Sequence, residues 1–555
     1  MNTTAERLTA AGSPFEIVEA SVAGVPCKVF RHAPSTLIDV YRRARSCGDR
    51  EFLVSGVRRT TFKEVFRTSE RISRVIRQRL GEVGGAKIAV IFPNVPEWIA
   101  SFIAVTSMGA TAVAIHRALR PRDIAAAIDA TDCRMVLCDD EISHALRDDV
   151  DGRCIVAIGP EGYAIGDSRP ADAADDTDGR CESTIDSSNS VQPESVAMIA
   201  FTSGSTSRPK GVELTHRSMT CGMMNALLGG ALAATGNADR MRSAKRLAPI
   251  PFLAGPFSHV SGYGTALLSL YVGGKIVTMG EWDANGATKL MCAERTTAVI
   301  GITSAMLGAL LQGDIADLGE FVRSVVVQGA ALPQKLLRAL KAALPEVSVG
   351  VGYGLTETNG VVCMGSEAML SERPNTSGKP LPTVDVRILR ADGTEAAPGQ
   401  VGEVTIRGAM VMRGYVNLPG ATGKVLQDGW FRTGDLGWVD EDRFLYVTDR
   451  AGHFFGSGGD KISCSAVAGV ILDNELAAEA FAFGVTENGQ NERLVLAVSG
   501  PKDICADDSA IADALERAGY GSLAPHIMRL RTSLPRTPSG KIDGHELRRQ
   551  VSLFG

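Results

Sequence analysis

Residues 202–211 read TSGSTSRPKG, and they follow the apolar run SVAMIAF at 195–201. The apolar run predicts a buried strand, so the small polar residues form a loop at a strand end. Small residues let backbone N–H groups close on an anion, and the Thr and Ser hydroxyls add donors. Lys210 brings a positive charge behind Pro209, whose fixed φ stiffens the turn. The arrangement suits a polyphosphate, with the lysine on the β- and γ-phosphates. Its spacing is not that of the common nucleotide loop, in which Ser or Thr follows the lysine; here Gly211 follows it.

Outward from this loop the chain alternates strands and helices. Towards the N-terminus, 52–62 predicts two short strands around a turn and 62–80 an amphipathic helix. A strand over 87–92, a helix over 95–109, a strand over 111–115, a helix over 124–131 and a strand over 135–137 come next. This pitch argues for parallel βαβ layers. Residues 166–190 are rich in Asp, Ser, Gly and Ala and read as a mobile, solvated acidic connection. Towards the C-terminus, short β-rich runs at 274–277, 297–300 and 324–327 resume the pattern. Antiparallel strands over 378–390 and 402–407 add a β-rich subdomain. After Arg450 come a Gly-rich turn, a helix from about 466, a strand near 494–498 and a helix from 510, a plausible small separate α+β domain.

The 555 residues exceed one hydrophobic core and predict at least two domains. A net charge of −5 leaves no electrostatic footprint for nucleic acid or an anionic membrane. The eleven cysteines lack CxxC pairs, which argues for reduced thiols in the cytoplasm and against a zinc site or a disulfide framework. MNTTAERLTAAG is not a secretory signal, and no apolar run is long enough to span a bilayer.

Four further segments sharpen the reading. GYGLTET at 352–358 sets Tyr353 between glycines, open to a nucleobase, and offers Thr356 and Glu357 as hydroxyl and carboxylate. A carboxylate beside a triphosphate suits Mg²⁺, which takes one or two protein oxygens plus phosphate oxygens. WFRTGDL at 430–436 presents Asp435 after a Thr-Gly turn, where it could accept both ribose hydroxyls. YVTDR ends in Arg450 at the predicted domain boundary, and PRTPSGKID at 535–543 projects Lys541 from a stiff turn.

In this order and over nearly the whole chain, from about Phe52 to Lys541, these motifs resemble the adenylate-forming superfamily of acyl- and aryl-CoA synthetases, peptide-synthetase adenylation domains and firefly luciferase, closest to the acyl-CoA synthetases. The stretch PNVPEW at 93–98 and residues 109–122 also look like it. The resemblance implies an α/β fold with a large N-terminal domain of layered α/β subdomains plus a β-rich subdomain (residues 1–449). A small mobile α+β C-terminal domain (450–555) carries the catalytic lysine. It implies that a carboxylate attacks the ATP α-phosphorus, giving acyl-AMP and pyrophosphate, and that the thiol of CoA then displaces AMP.

On that resemblance, Thr202, Ser203, Gly204, Ser205, Thr206 and Lys210 hold the phosphates. Tyr353 stacks on adenine, Gly354 and Thr356 also bind the nucleotide, Asp435 holds the ribose and Arg450 contacts ribose or phosphate, while Thr356 and Glu357 act in catalysis and Glu357 binds Mg²⁺. Lys541 bridges the carboxylate and α-phosphate oxygens, because two anionic reactants need cationic donors where charge builds. PFLAGPFSHVSG at 251–262 resembles the segment closing the acyl pocket, with His259 near the substrate carboxylate. Gly262, Thr303, Gly329, Ala330, Ala331 and Gly354 are implied to line the acyl slot. This stretch has no aspartate for a substrate ammonium, so an amino acid is not expected. Small residues on both sides leave room for a bulky, mostly apolar acid.

The pattern departs from the family after Arg450. The hinge position is Gly452, and the turn keeps Ser457, Gly458 and Gly459 at the CoA tunnel but continues Asp460-Lys461. The Tyr-Pro and Glu-Val-Glu common in the family are Ser463-Cys464 and Ala466-Val467-Ala468. One alternative is therefore an acyl-AMP ligase whose acyl group passes to a carrier protein or partner thiolating enzyme. A luciferase-like oxygenase shares every motif. A non-catalytic nucleotide-binding protein is disfavoured by the complete set Lys210, Glu357, Asp435, Arg450 and Lys541.

Overall fold

A computed structural model describes residues 4–147, 149–150, 153–160, 162–165, 191–202, 209–234, 249–327, 334–373, 375–450, 454–457, 460–487, 491–500, 506–521, 523, 525–537 and 541–554. Two large sheets form its frame. In the first, Val196–Phe201, Thr111–Ala114, Lys87–Ile91, Met135–Cys138 and Cys154–Ala157 run parallel in that order. Ile88, Ala89, Val90 and Ile91 are all fully buried, which is why this strand reads as a continuous apolar run with no alternation. Gly211–Thr215 returns antiparallel beside Val196–Phe201, so the phosphate-loop candidate joins two neighbouring strands, and Gly414–Tyr415 closes that edge.

The second sheet has nine strands and is parallel from Glu51–Ser55 through Ile276–Thr278, Pro251–Leu253, Ala298–Ile302 and Ser324–Val327 to Ser348–Leu355. Gly360–Gly365 then pairs antiparallel with Ser348–Leu355. One apolar core takes side chains from both sheets, among them Ile88 and Val90 from the first and Leu253 and Ile276 from the second. Every residue of the helix Pro96–Ser107 is buried. The helix Phe62–Leu80 starts in a capping box, the Glu64 carboxylate accepting the Thr61 N–H at 2.7 Å, and ends at Gly81, whose positive φ (69) suits glycine. Its period-3.6 face, including Val65, Ile72 and Ile76, is buried.

The expected β-rich part is present: Asp385–Leu389, Gly402–Arg407 and Trp430–Val439 pair antiparallel, with Leu445–Arg450 joined to the last. Beyond it, Glu479–Glu487, Asn491–Ser499 and His526–Leu530 form a three-stranded sheet. The helix Cys464–Asp473 packs on this sheet through Val467 and Ile471, and Asp508–Arg517 through Ile511 and Leu515. A second small cluster joins Phe483, Val495, Leu534 and Leu547. The α/β class, with a large N-terminal part and a small α+β C-terminal part, is as expected.

Local differences have physical causes. The helix expected over 124–131 begins earlier, at Pro121, because proline suits the first helical turn. The run over 378–390 is two strands, since Lys379–Pro380 pairs into the nine-stranded sheet and only Asp385–Leu389 joins the β-rich one. The Thr-Gly turn before Asp435 lies within the strand Trp430–Val439, where Gly434 (φ 73) sits beside a register shift. The acidic connection over 166–190 lies outside the described residues. Among the described residues no helix is long and apolar enough to cross a membrane, and nine cysteines form no disulfide.

Candidate active site

A cleft of 2720 Å³ runs between the large N-terminal part and the C-terminal part. Thr202, Lys210, His259, Thr303, Tyr353, Gly354, Thr356, Glu357, Asp435, Arg450 and Lys541 all line it. Residues separated by more than 300 positions in sequence are thus gathered at one place.

Strand geometry sets up the central carboxylates. Ser348–Leu355 turns back through the single 3-10 turn Thr356–Thr358 into Gly360–Gly365. Thr358, fully buried, accepts the Leu355 N–H at 2.9 Å, and Asn359 takes a left-handed conformation (φ 47) to complete the corner. A Cβ on Gly354 would lie 1.9 Å from the Gly360 carbonyl oxygen, so only glycine allows the strands to cross this closely. Asn359 is fixed by its side-chain amide, donating to the Ser218 carbonyl at 2.8 Å and accepting from the Tyr263 hydroxyl at 2.9 Å. The corner leaves Glu357 buried, with its backbone carbonyl held by Met412 N–H at 2.8 Å.

Asp435 and Arg450 are direct partners in the antiparallel register of their strands. Arg450 Nε donates to Asp435 Oδ1 at 2.9 Å, and the Tyr353 hydroxyl donates to Oδ2 at 2.6 Å. Tyr353 therefore stands within a strand and is tied by its hydroxyl to Asp435. Burial pulls the Arg450 pKa down, but the charges of Asp435 and Glu357 outweigh it and hold the guanidinium above its usual value. Burial, and then the Arg450 charge, lower Lys541, while Asp435 and Glu357 oppose the shift. Lys541 is carried by an antiparallel bridge, Arg536 opposite Ile542, with Thr537 N–H donating to the Lys541 carbonyl at 2.8 Å.

His259 caps the helix Val260–Val272, its Nδ1 accepting from the Ser261 N–H at 3.4 Å. Acceptance at Nδ1 puts the proton of the neutral ring on Nε2. Burial lowers its pKa to about 4, helped by Lys541 and His116, so the ring is neutral at pH 7. The loop leading to it hangs from buried Asn94, whose amide donates to the Gly255 carbonyl at 2.9 Å and accepts from Phe257 N–H at 2.8 Å. Thr303 caps the helix Ser304–Leu311 at the cleft wall. Gly262 is buried against the Pro256 carbonyl and is not among the lining residues, although Ser261, Tyr263 and Gly264 on either side are.

The neck of the phosphate-loop candidate is closed by Thr202 N–H donating to the Lys210 carbonyl at 3.0 Å, and by Lys210 N–H donating to the Thr202 hydroxyl at 3.2 Å. Ser203, Gly204, Ser205, Thr206, Gly329, Ala330, Ala331, Gly452, Gly458 and Gly459 lie outside the described residues. Ser457 closes the hairpin of Phe454–Ser457 with Asp460–Ser463.

Sequence reasoning missed several participants. Tyr415 donates to Glu357 Oε1 at 2.9 Å, and Asp449 accepts from the Ser463 hydroxyl at 2.9 Å and the Ser465 N–H at 3.0 Å. The helix His216–Ala234 supplies Met219, Gly222, Met223 and Ala226 to the cleft. Its all-round apolar sequence, MTCGMMNALLGGALAA, was the available signal for a buried helix.

The AMP-binding enzyme family model matches residues 40–416. The chain belongs to this family. Among its relatives is a 2-succinylbenzoate–CoA ligase of Geobacillus sp. (strain WCH70), 27% identical over 519 residues, 92% of this chain and 96% of that protein. A feruloyl-CoA synthase of Amycolatopsis sp. is 28% identical over 515 residues, covering 92% and 97%. The O-succinylbenzoate coenzyme A synthetase of Bacillus subtilis, solved in complex with ATP and magnesium ion, shares the fold with a TM-score of 0.74 at 22% identity, covering 92% and 98%. The resemblance drawn from the motifs is thereby borne out, and this AMP-binding enzyme stands among AMP-forming acid–CoA ligases.

The described residues of this AMP-binding enzyme fit ATP and a magnesium ion. They contain no cluster of three or more His, Cys, Asp or Glu able to cage a metal. A single carboxylate beside a phosphate-binding loop is the donor set Mg²⁺ uses when phosphate oxygens complete its shell. Glu357 offers that carboxylate, with Tyr415 bonded to one oxygen only.

Proposed function

We propose that this enzyme activates a non-amino-acid carboxylic acid with ATP, forming acyl-AMP and pyrophosphate, and then transfers the acyl group to CoA. The observation carrying this reading is the convergence of Lys541, Arg450, Asp435, Glu357 and neutral His259 on one cleft with an apolar end. Residues 1–449 act as the ATP- and acid-binding domain and 450–555 as a lid that brings Lys541 to it. The separate apolar clusters of the C-terminal part support this division.

In the first half-reaction the acid carboxylate lies near His259, whose Nε2–H donates a neutral hydrogen bond without adding a charge. Lys541 spans the carboxylate and the α-phosphate, offsetting the repulsion of two anions as the new P–O bond forms. Pyrophosphate departs towards Lys210 and the 202–211 loop. Glu357 would hold a magnesium ion, which when bound would supply charge neutralisation to the phosphates. Asp435 receives the ribose hydroxyls and Tyr353 the adenine. Each Asp435 oxygen already accepts one hydrogen bond and keeps a lone pair for a second.

The acyl end is bounded by Met219, Gly222, Met223, Val260 and Gly264, with no aspartate among the described lining residues of these two helices. That lining supports an apolar or aryl acid, and the two ligases named above carry aryl acids in their names, 2-succinylbenzoate and the feruloyl group. The test is ATP–pyrophosphate exchange across fatty, aryl and polycyclic acids, with and without CoA, and mass analysis of the products. Acyl-CoA formation from one class establishes the reading, and exchange with none of the acids overturns it.

A second reading, acyl-AMP formation with the thioester made on a carrier protein or by a partner enzyme, is favoured by the altered segment after Arg450. There Asp449 binds the first turn of the helix Cys464–Asp473 through Ser463 and Ser465. Acyl-AMP accumulating despite CoA is its signature.

A further inference from the structure

Tyr415 stands between the two opposite charges of the nucleotide site. Its hydroxyl donates to Glu357 Oε1 at 2.9 Å, and Lys210 Nζ lies over its ring, 4.8 Å from the centroid. The side chain is buried, and its backbone is fixed on three sides. Val212 is its register partner, Val416 N–H donates to the Gly211 carbonyl at 2.9 Å, and Tyr415 N–H donates to the Thr422 hydroxyl at 2.9 Å. The segment carrying it also holds the Glu357 backbone, through Met412 N–H. One short edge strand therefore links the end of the phosphate loop to the acidic corner.

An ammonium and a carboxylate within reach of one phenol would attract each other strongly in a partly dehydrated cleft. If they met directly, the lysine would be lost to the phosphates and the carboxylate to the metal. Among the described residues, neither forms an ion pair within 4 Å. The ring face takes the cation and the hydroxyl takes the anion, so each charge has a partner that a stronger ligand can displace or share. Among the described residues, Glu357 keeps its second oxygen free for that purpose.

We propose that Tyr415 is a positioning residue that holds Lys210 and Glu357 apart and aimed, so that they meet through the metal–nucleotide complex and not each other. The proposal rests on the assignment of Lys210 to the phosphates and Glu357 to Mg²⁺. The phenol changes no bond itself; it sets where the two charges stand before ATP enters.

The experiment is ATP binding by calorimetry without any acid present, in EDTA and in Mg²⁺, for the wild-type enzyme, Y415F, Y415L and E357Q. Mn²⁺ bound with ATP, followed by electron paramagnetic resonance, gives a second view of the metal. Y415F keeps the ring and loses the hydrogen bond to a charged group, so Mg²⁺·ATP affinity should fall roughly ten-fold or more. Its metal-free ATP binding should stay within two-fold. Y415L frees Lys210 to pair with Glu357 and should weaken both. E357Q separates the two assignments. If E357Q abolishes the Mg²⁺ effect while Y415F binds Mg²⁺·ATP like wild type, the positioning role is overturned and the metal assignment survives. If E357Q leaves the Mg²⁺ effect intact, the metal assignment falls and takes the proposal with it.

Discussion

Removing the Lys541 ammonium should cripple adenylation and spare the later transfer to CoA. The side chain enters a cleft that already holds Arg450, Asp435, Glu357 and neutral His259, and burial lowers its pKa below that of a free lysine. A preorganised donor of this kind at a developing anion contributes about 2.7–4 kcal/mol. K541A should therefore slow acyl-AMP formation by roughly a hundred- to a thousand-fold. The assay is single-turnover acyl-AMP formation with the best acid of the exchange panel, alongside transfer to CoA from preformed acyl-AMP, which should change far less. The pH profile separates charge from shape. Deprotonation of Lys541 removes the cation, so the wild-type rate should fall as pH rises through its lowered pKa. An arginine stays charged throughout. K541R should be slower at neutral pH yet lose this alkaline limb. Adenylation by K541A within ten-fold of wild type, or an unchanged alkaline limb in K541R, would refute the reasoning.

G354A drives a Cβ to 1.9 Å from the Gly360 oxygen, backbone against backbone, and should cost about 1–3 kcal/mol or more. G434A meets nothing within 4 Å and suffers only from its left-handed backbone (φ 73), about 1–2 kcal/mol, so G354A, with its backbone clash, should melt below G434A. His216 is 1% exposed, accepts the Leu37 N–H at 3.3 Å, and is pushed by burial to about 4. It is neutral when folded and takes up a proton on unfolding, so its contribution is complete above pH 6.5 and lost as pH falls towards 4. The span is on the order of 3 kcal/mol. H216Q should lower stability at pH 7.5 but flatten the drop in urea midpoint from there to pH 5; an equally steep drop counts against it. Lys335 and Glu475 join the two parts of the chain by an exposed ion pair at 2.8 Å. Such a pair contributes less than about 1 kcal/mol, so K335E should change exchange by less than about five-fold; a larger loss would assign this contact a role beyond charge pairing.

Local chemistry made much of this protein readable in its sequence. The run SVAMIAF forms a buried strand because its side chains must leave water, and the helix over 62–80 keeps the bounds its apolar periodicity predicts, with Thr61 and Glu64 capping it and Gly81 ending it. Lys210, Tyr353, Glu357, Asp435 and Lys541 stand out in the sequence because each lies in a short segment with glycine or proline beside one polar side chain, whereas Arg450, in YVTDR, stands out only through the family resemblance. Tertiary structure decided the rest. Nothing near Tyr415 in sequence signals Glu357, 58 positions away; the pairing of Gly414–Tyr415 with Gly211–Thr215 brings them together. Asn94 orients the loop of His259 across 163 positions to Phe257, and the helix His216–Ala234 becomes a cleft wall only when the two sheets close on it. A sequence records which groups carry charge and how the chain bends beside them, but hydrogen bonds and desolvation act through space. The positioning of those charges, and the pKa values of His259 and Lys541, therefore arise only when the strands pair and water is excluded.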